Sequence, residues 1–294
     1  MATTTPFISP IAFDKDLTLS NKLSVQTSQK IYQLLAMVFI LMAGSSAAQS
    51  QKFSWPDGKK AAISLTFDDG RASQVKGGTA LLDQFGVKAT LYVVPNAVRQ
   101  NLSEWKSAVA NGHEIANHSL KHPCSGNFPW ARATALEDYT LQQMHDELAQ
   151  ANKEIRELLG VECTEFAYPC GQTFVGRGKE TKSYVPVVAS SFSSGRLWLS
   201  EAANDPSYCD FAQLTGVESD GKDFEQILPV IESAVKNGQW LVFAGHEMND
   251  SGSQTTRLSM LKKLLEYVND PANGIWIAPV GTVRKYVEKN RGSK

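Results

Sequence analysis

The residues of this chain best able to do chemistry fall at the ends of apolar runs. In "HEIANHSLKHP", His118 and His122 stand four apart, and the chain has only five histidines. That spacing stacks two imidazoles on one face of a helical turn, and Pro123 limits the turn, so both rings can point at one ion. Far upstream, "AAISLTFDDG" finishes a β-favouring run in Asp68, Asp69 and Gly70. Asp-Gly alone is ordinary turn chemistry. Joined to two histidines, however, one carboxylate completes the three-ligand set of a catalytic zinc, with a position left for water or substrate. The neighbouring carboxylate stays available to move a proton. A later run, "WLVFAGH", ends in His246, and "FAYPCG" carries Tyr168 and Cys170.

Such residues need a scaffold that brings strand ends together. Strand-like runs at Ala61–Phe67, "ATLYVVP", "HEIAN", "EFAYP", "WLVFAGH" and "IWIAPV" alternate with helical patterns in "SQVKGGTALLDQFG", "SEWKSAVANG", "FEQILPVIESAVKNG", "RLSMLKKLLEYVND" and "TVRKYVEKN". Ser103 is the N-cap candidate of the second helix. The clearest helix repeats Leu141, Met144, Leu148, Ala151, Ile155 and Leu158 at three and four and stops at Gly160. Residues 174–221, rich in Ser, Gly and Asp, read as long loops with two short strands. The alternation predicts an α/β fold, a distorted barrel of about seven parallel strands, with an open doubly wound sheet as the alternative. In a barrel the chemistry gathers at the C-terminal strand ends.

With 294 residues, 42% apolar and 20% charged, the chain can bury a substantial core, which excludes disorder. The net charge of −1 with dispersed Lys and Arg supplies no basic patch, so nucleic acid is not an expected partner. Lys22 and Lys30 precede an apolar run over 31–43 and then "GSSAA", the pattern of a secretory signal covering residues 1–48. Thirteen apolar residues fall short of the roughly 20 that span a bilayer, so no stable membrane insertion is expected after cleavage, and the mature domain, 49–294, is secreted or periplasmic. An uncleaved anchor is the alternative, since the stretch ahead of the run is long. After export Cys124, Cys163, Cys170 and Cys209 can pair in three ways or stay as buried thiols.

In their order and intervals, "TFDDG", "HEIANHSLKHP", "FAYPCG" and "LVFAGHEM" resemble the polysaccharide deacetylases of the NodB-homology type, carbohydrate esterase family four, over roughly residues 60–290. The resemblance implies a distorted (β/α) barrel and metal-dependent removal of acetyl groups from a glycan. By the family pattern Asp68 matches the general base, and Asp69, His118 and His122 match the ligands of one divalent ion, zinc, with cobalt or nickel as substitutes. His246 matches the general acid. The turn holding Tyr168 and Cys170 is expected to bind substrate, with the Cys170 N–H serving the oxyanion. Trp198 and Trp130 sit in loop-like segments suited to stacking on sugar rings, packing being the alternative for both, and Trp276 can reach the pocket from the closing strand. His145 reads as a surface residue, and His113 as packing at the start of its strand.

Two departures from the family pattern stand out. The arginine that orients the base in many members is here Ala167, with Arg71 or Arg196 as substitutes. The carboxylate that tunes the acid histidine has Asp205 and Asp210 as candidates. An N-acetylglucosamine glycan and O-acetylated xylan both fit as substrate. A glycan-binding module without activity would have no need of Asp68 and His246, and a non-haem iron oxygenase no use for the second aspartate.

Overall fold

The computed structural model describes residues 53–292, so the signal expected over 1–48 lies outside the described residues. Among the described residues no helix is long and apolar enough to cross a membrane. The sheet is built from β1 (Ala61–Phe67), β2 (Thr90–Val93), β3 (Glu114–Asn117), β4 (Glu165–Ala167), β5 (Ser194–Arg196), β6 (Val217–Glu218), β7 (Trp240–Gly245) and β8 (Ile275–Ile277). The first seven run parallel in the order β5-β4-β3-β2-β1-β7-β6, and β8 lies parallel to the start of β1. A backbone bridge between Arg196 and Leu214 draws the chain ahead of β6 towards β5. The sheet is thus a distorted (β/α) barrel of the NodB type.

Every residue of β1 and β7 is buried, which is why both read as continuous apolar runs rather than as alternating ones. Helices cover the sheet. Leu141–Leu159 starts with a capping box between Thr140 and Gln143, ends at Gly160 with φ +70°, and buries Met144, Leu148, Ala151 and Ile155. Each such side chain contributes about 1.5–3 kcal/mol of hydrophobic stabilisation, less for the alanine. Phe224–Asn237 repeats the design, with an Asp223–Gln226 capping box and Gly238 at the end.

Two expectations change, and an open one is resolved. The helix Leu102–Ala110 takes Asn101 as its N-cap; Ser103 lies inside and bonds Glu104 instead. Residues 174–221 contain the barrel strands β5 and β6, a short antiparallel pair (Phe174–Val175 with Lys182–Ser183) and the helix Val185–Ser191. Strands of two or three residues are too short to show a period. Among the cysteines, Cys124 pairs with Cys170, while Cys163 is a buried thiol in the core.

Candidate active site

The register of the barrel places the candidate groups. Phe67 pairs with Gly245 where β1 and β7 end, and the Asp68 N–H donates to the Gly245 carbonyl at 2.8 Å, so Asp68 and His246 leave the sheet side by side. Gly245 must be glycine, since a Cβ would lie 2.2 Å from Thr256 Oγ1. The buried Gln74 amide donates to the Asp68 carbonyl at 2.6 Å and the His246 carbonyl at 2.9 Å, joining the two strand ends. Sequence reasoning missed Gln74, which reads as one more helical position.

The metal-type residues also converge. Asp69 Oδ1 lies 3.4 Å from His118 Nε2 and 3.2 Å from His122 Nε2, and it is buried without a hydrogen bond. Asp69 Oδ2 instead accepts from Arg71 Nε and Nη2 at 3.0 and 2.8 Å. His118 Nδ1 faces the Ala167 carbonyl at 3.0 Å, which puts the proton on Nδ1 and leaves the Nε2 lone pair facing Asp69. A carboxylate oxygen and two imidazole nitrogens within 4.8 Å of one another fit a divalent ion with an open position. Burial opposes the charge on Asp69, yet the two facing imidazoles hold its carboxyl well below the usual carboxylate range.

The histidine pair does not stand on a helical turn. Residues 118–122 form an irregular loop, with Ser119 at φ +66° and His122 at φ +52°. Asn117 Oδ1 accepts from the Ser119 N–H at 2.6 Å and Ser119 Oγ from the His122 N–H at 2.9 Å, side-chain bonds that stand in for a helical ladder.

Asp68 is buried, and the fully buried Arg196 donates to its Oδ1 through Nη2. Arg196 also donates from Nη1 to the Leu197 carbonyl at 3.0 Å and lies over the Tyr92 ring at 5.0 Å. Of the two arginines considered for this place, Arg196 pairs with Asp68 and Arg71 with Asp69. His246 Nδ1 meets Asp220 Oδ2 at 2.7 Å, and Asp220 Oδ1 accepts from Thr256 Oγ1 at 2.8 Å. Asp220 therefore replaces both earlier candidates. Asp205 and Asp210 accept from the backbone N–H groups of Ser207 and Ala212, as turn and cap residues do. The available signal was the Asp220–Gly221 pair just after a strand, the same dipeptide that closes β1. Burial pulls the His246 pKa down, but the hydrogen bond to Asp220 and the charges of Asp68, Asp69 and Asp220 outweigh it and raise the pKa above the ordinary imidazole value.

Asp68, Asp69, His118, His122 and His246 all line one cavity of about 730 Å³, together with Cys170, Trp130 and Trp198. Trp198 packs edge-on to His246 with 4.7 Å between ring centroids. Gly171 lets the "YPCG" turn approach closely, since a Cβ there would lie 2.9 Å from the Trp198 backbone nitrogen. Tyr168 does not reach the cavity, which corrects its expected contact with substrate. Its ring is buried, its hydroxyl donates to the Ala212 carbonyl and its N–H to the Arg196 carbonyl. Trp276 packs against Trp55 and Tyr286, away from the cavity lining. His145 is exposed, and His113 is buried beside Asp83.

Comparison with known proteins bears on the sequence family and the fold. Residues 56–183 match the family model described as polysaccharide deacetylase. The chain is 30% identical over 110 residues to a peptidoglycan-N-acetylglucosamine deacetylase of Listeria monocytogenes, covering 37% of this chain and 21% of that protein. It is 24% identical over 259 residues to a gellan lyase of a Bacillus species, covering 80% of this chain and 10% of that protein. The chain thus spans only a tenth to about a fifth of these relatives. A crystal structure from Mycobacterium smegmatis assigned to the polysaccharide deacetylases superposes with a TM-score of 0.61 at 15% identity, covering 83% of this chain and 96% of that one. Residues 56–183 are thus similar to the polysaccharide deacetylases in sequence, and the barrel is similar to theirs in fold.

Proposed function

We propose that the protein hydrolyses acetyl groups from a glycan containing N-acetylglucosamine, with one divalent ion, zinc in the first place, held by Asp69, His118 and His122. The observation that carries this reading is the orphaned Asp69 Oδ1 facing two imidazole nitrogens, in a cavity that also holds Asp68 and His246. A divalent ion there would supply Lewis-acid polarisation of the acetyl carbonyl and raise the acidity of a water. Asp68, held by Arg196, takes the proton of the attacking water. The Cys170 N–H, at the cavity edge, donates to the developing oxyanion. His246, kept protonated by Asp220, gives its proton to the departing nitrogen, a poor leaving group without one. The choice of N-acetylglucosamine is supported by the name of the Listeria relative. Export through the 1–48 signal would bring the enzyme to such a glycan.

The test is acetate release from chitooligosaccharides, poly-N-acetylglucosamine, peptidoglycan and acetylxylan. Release from the N-acetylated glycans supports the proposal. Release from acetylxylan alone would make the protein an O-acetyl esterase, and release from none would overturn the reading.

A further inference from the structure

Four large hydrophobic side chains are exposed among the described residues, Phe128, Trp130, Leu199 and Tyr208, and the first three line the cavity that holds the candidate site. Trp130 is 62% exposed. Its ring stacks on Phe128 at 5.5 Å and 23° and lies 5.9 Å from the His122 ring, so an apolar surface begins beside a candidate metal ligand and runs outward. From this arrangement we infer that Phe128 and Trp130 form a shelf on which the sugar ring next to the acetylated one stacks, so that the protein prefers chains of several rings to a single acetylated sugar. The inference rests on the glycan reading above.

The segment carrying the two aromatics is tied down on several sides. Ser125 Oγ and the Gly126 N–H both bond the Glu137 carboxylate, at 2.6 and 2.9 Å, and these two bonds, foremost that from Ser125, hold its pKa below the ordinary value. The Ser125 N–H donates to Gln172 Oε1 at 2.7 Å, and the Leu136 N–H to the Cys124 carbonyl at 3.0 Å. The Cys124–Cys170 disulfide fastens the base of the segment to the turn at the cavity edge. These ties hold both ends of the segment that carries Phe128 and Trp130. A ligand that meets a rigid aromatic face loses little further conformational entropy on binding. The shape and chemistry of the shelf select the ligand. Stacked rings without a charged group of their own recognise a flat apolar face, and a pyranose with equatorial substituents presents such a face of C–H bonds. The cavity also carries Trp198 and Leu199, giving the chain apolar contacts beyond the reacting ring.

The test measures binding and turnover on the metal-loaded protein, with N-acetylglucosamine tetramer and monomer as probes and a small aryl acetate as the substrate without rings to stack. Trp130→Ala is expected to weaken tetramer affinity about 3- to 10-fold, the worth of one aromatic stacking contact, as a rise in KM rather than a fall in kcat. Its effect on monomer binding and on the aryl acetate should be several-fold smaller, and Trp130→Phe should recover most of the loss. Bound metal, measured alongside, should match the parent protein. If the tetramer is hydrolysed and its affinity is equal in parent and Trp130→Ala, the shelf is overturned and deacetylation stands. Equal losses on tetramer and aryl acetate would overturn it as well, by showing that Trp130 acts through His122. A parent protein that neither binds nor hydrolyses the tetramer would overturn the glycan reading and the shelf with it.

Discussion

Arg196, the last residue of β5, lies fully buried against Asp68 and donates to its Oδ1 across 128 positions of sequence. Ala167 and Arg196 are register partners between β4 and β5, so an arginine stands on the strand next to the one where the family pattern expects it. Gly216 makes the arrangement possible, because a Cβ there would lie 2.9 Å from Arg196 Cδ. Arg196 does not line the cavity, so it is a positioning residue for Asp68. Arg196→Lys should lower kcat about 10- to 100-fold with KM little changed, as loss of an orienting partner does. Arg196→Met should also cost about 3–5 kcal/mol of stability, because it leaves a buried carboxylate unpaired. Steady-state kinetics and denaturant melts on both variants check this.

The link between His246 and Asp220 predicts a pH effect. A raised imidazole pKa keeps the acid protonated to higher pH, so the alkaline limb of kcat/KM on an amide substrate should lie above the ordinary value near 6.5. Asp220→Asn removes the leading raising partner and should move that limb to lower pH, with bound metal unchanged. A bound ion offsets the charge of Asp69, which leaves Asp220 as the larger influence. The same sign holds for folding. The stability that comes from protonated His246 is complete below the ordinary pKa and is lost as pH rises through the folded-state value.

Much of this was readable from residues alone. Asp68, Asp69, His118, His122 and His246 follow apolar runs long enough to be seen as strands. What the sequence hid is what short or distant elements supply. Arg196 sits on a strand of three residues and Asp220 follows one of two, inside a segment that reads as loop. The irregular loop bearing His118 and His122 was hidden for another reason. The i, i+4 spacing suggests a helical turn, but side-chain bonds from Asn117 and Ser119 fix a different backbone with two residues at positive φ. Tyr168 was misplaced because a turn motif does not say which of its side chains point outward.

The disulfide gives a prediction about both stability and the metal. Cys124 and Cys170 are 46 residues apart, and a loop of that length is worth about 4 kcal/mol in the chain-entropy model. The Cys124→Ser, Cys170→Ser double variant should melt about 10 °C lower. Metal affinity should fall too, since His122 lies two residues from the lost tie, and a zinc titration reads that directly. Cys163 should resist alkylation in the native protein, because burial pushes its thiol up to about 12.

The two adjacent carboxylates should separate by function. Asp68→Asn should keep its metal yet lose about 2 to 4 orders of magnitude in rate, the usual worth of general base catalysis. Asp69→Asn should lose metal affinity first and activity as a consequence. Bound metal measured in both variants distinguishes the roles, and the reverse pattern would exchange them.

Asp69, His118 and His122 are expected to hold an ion without which the glycan is not deacetylated. This is tested most directly by acetate release from N-acetylglucosamine tetramer, comparing the protein as purified, after stripping with a chelator, and after return of one equivalent of zinc, cobalt or nickel. Acetate release should be lost on stripping and return with the ion, at a stoichiometry of one per chain. Undiminished release by the stripped protein would contradict it.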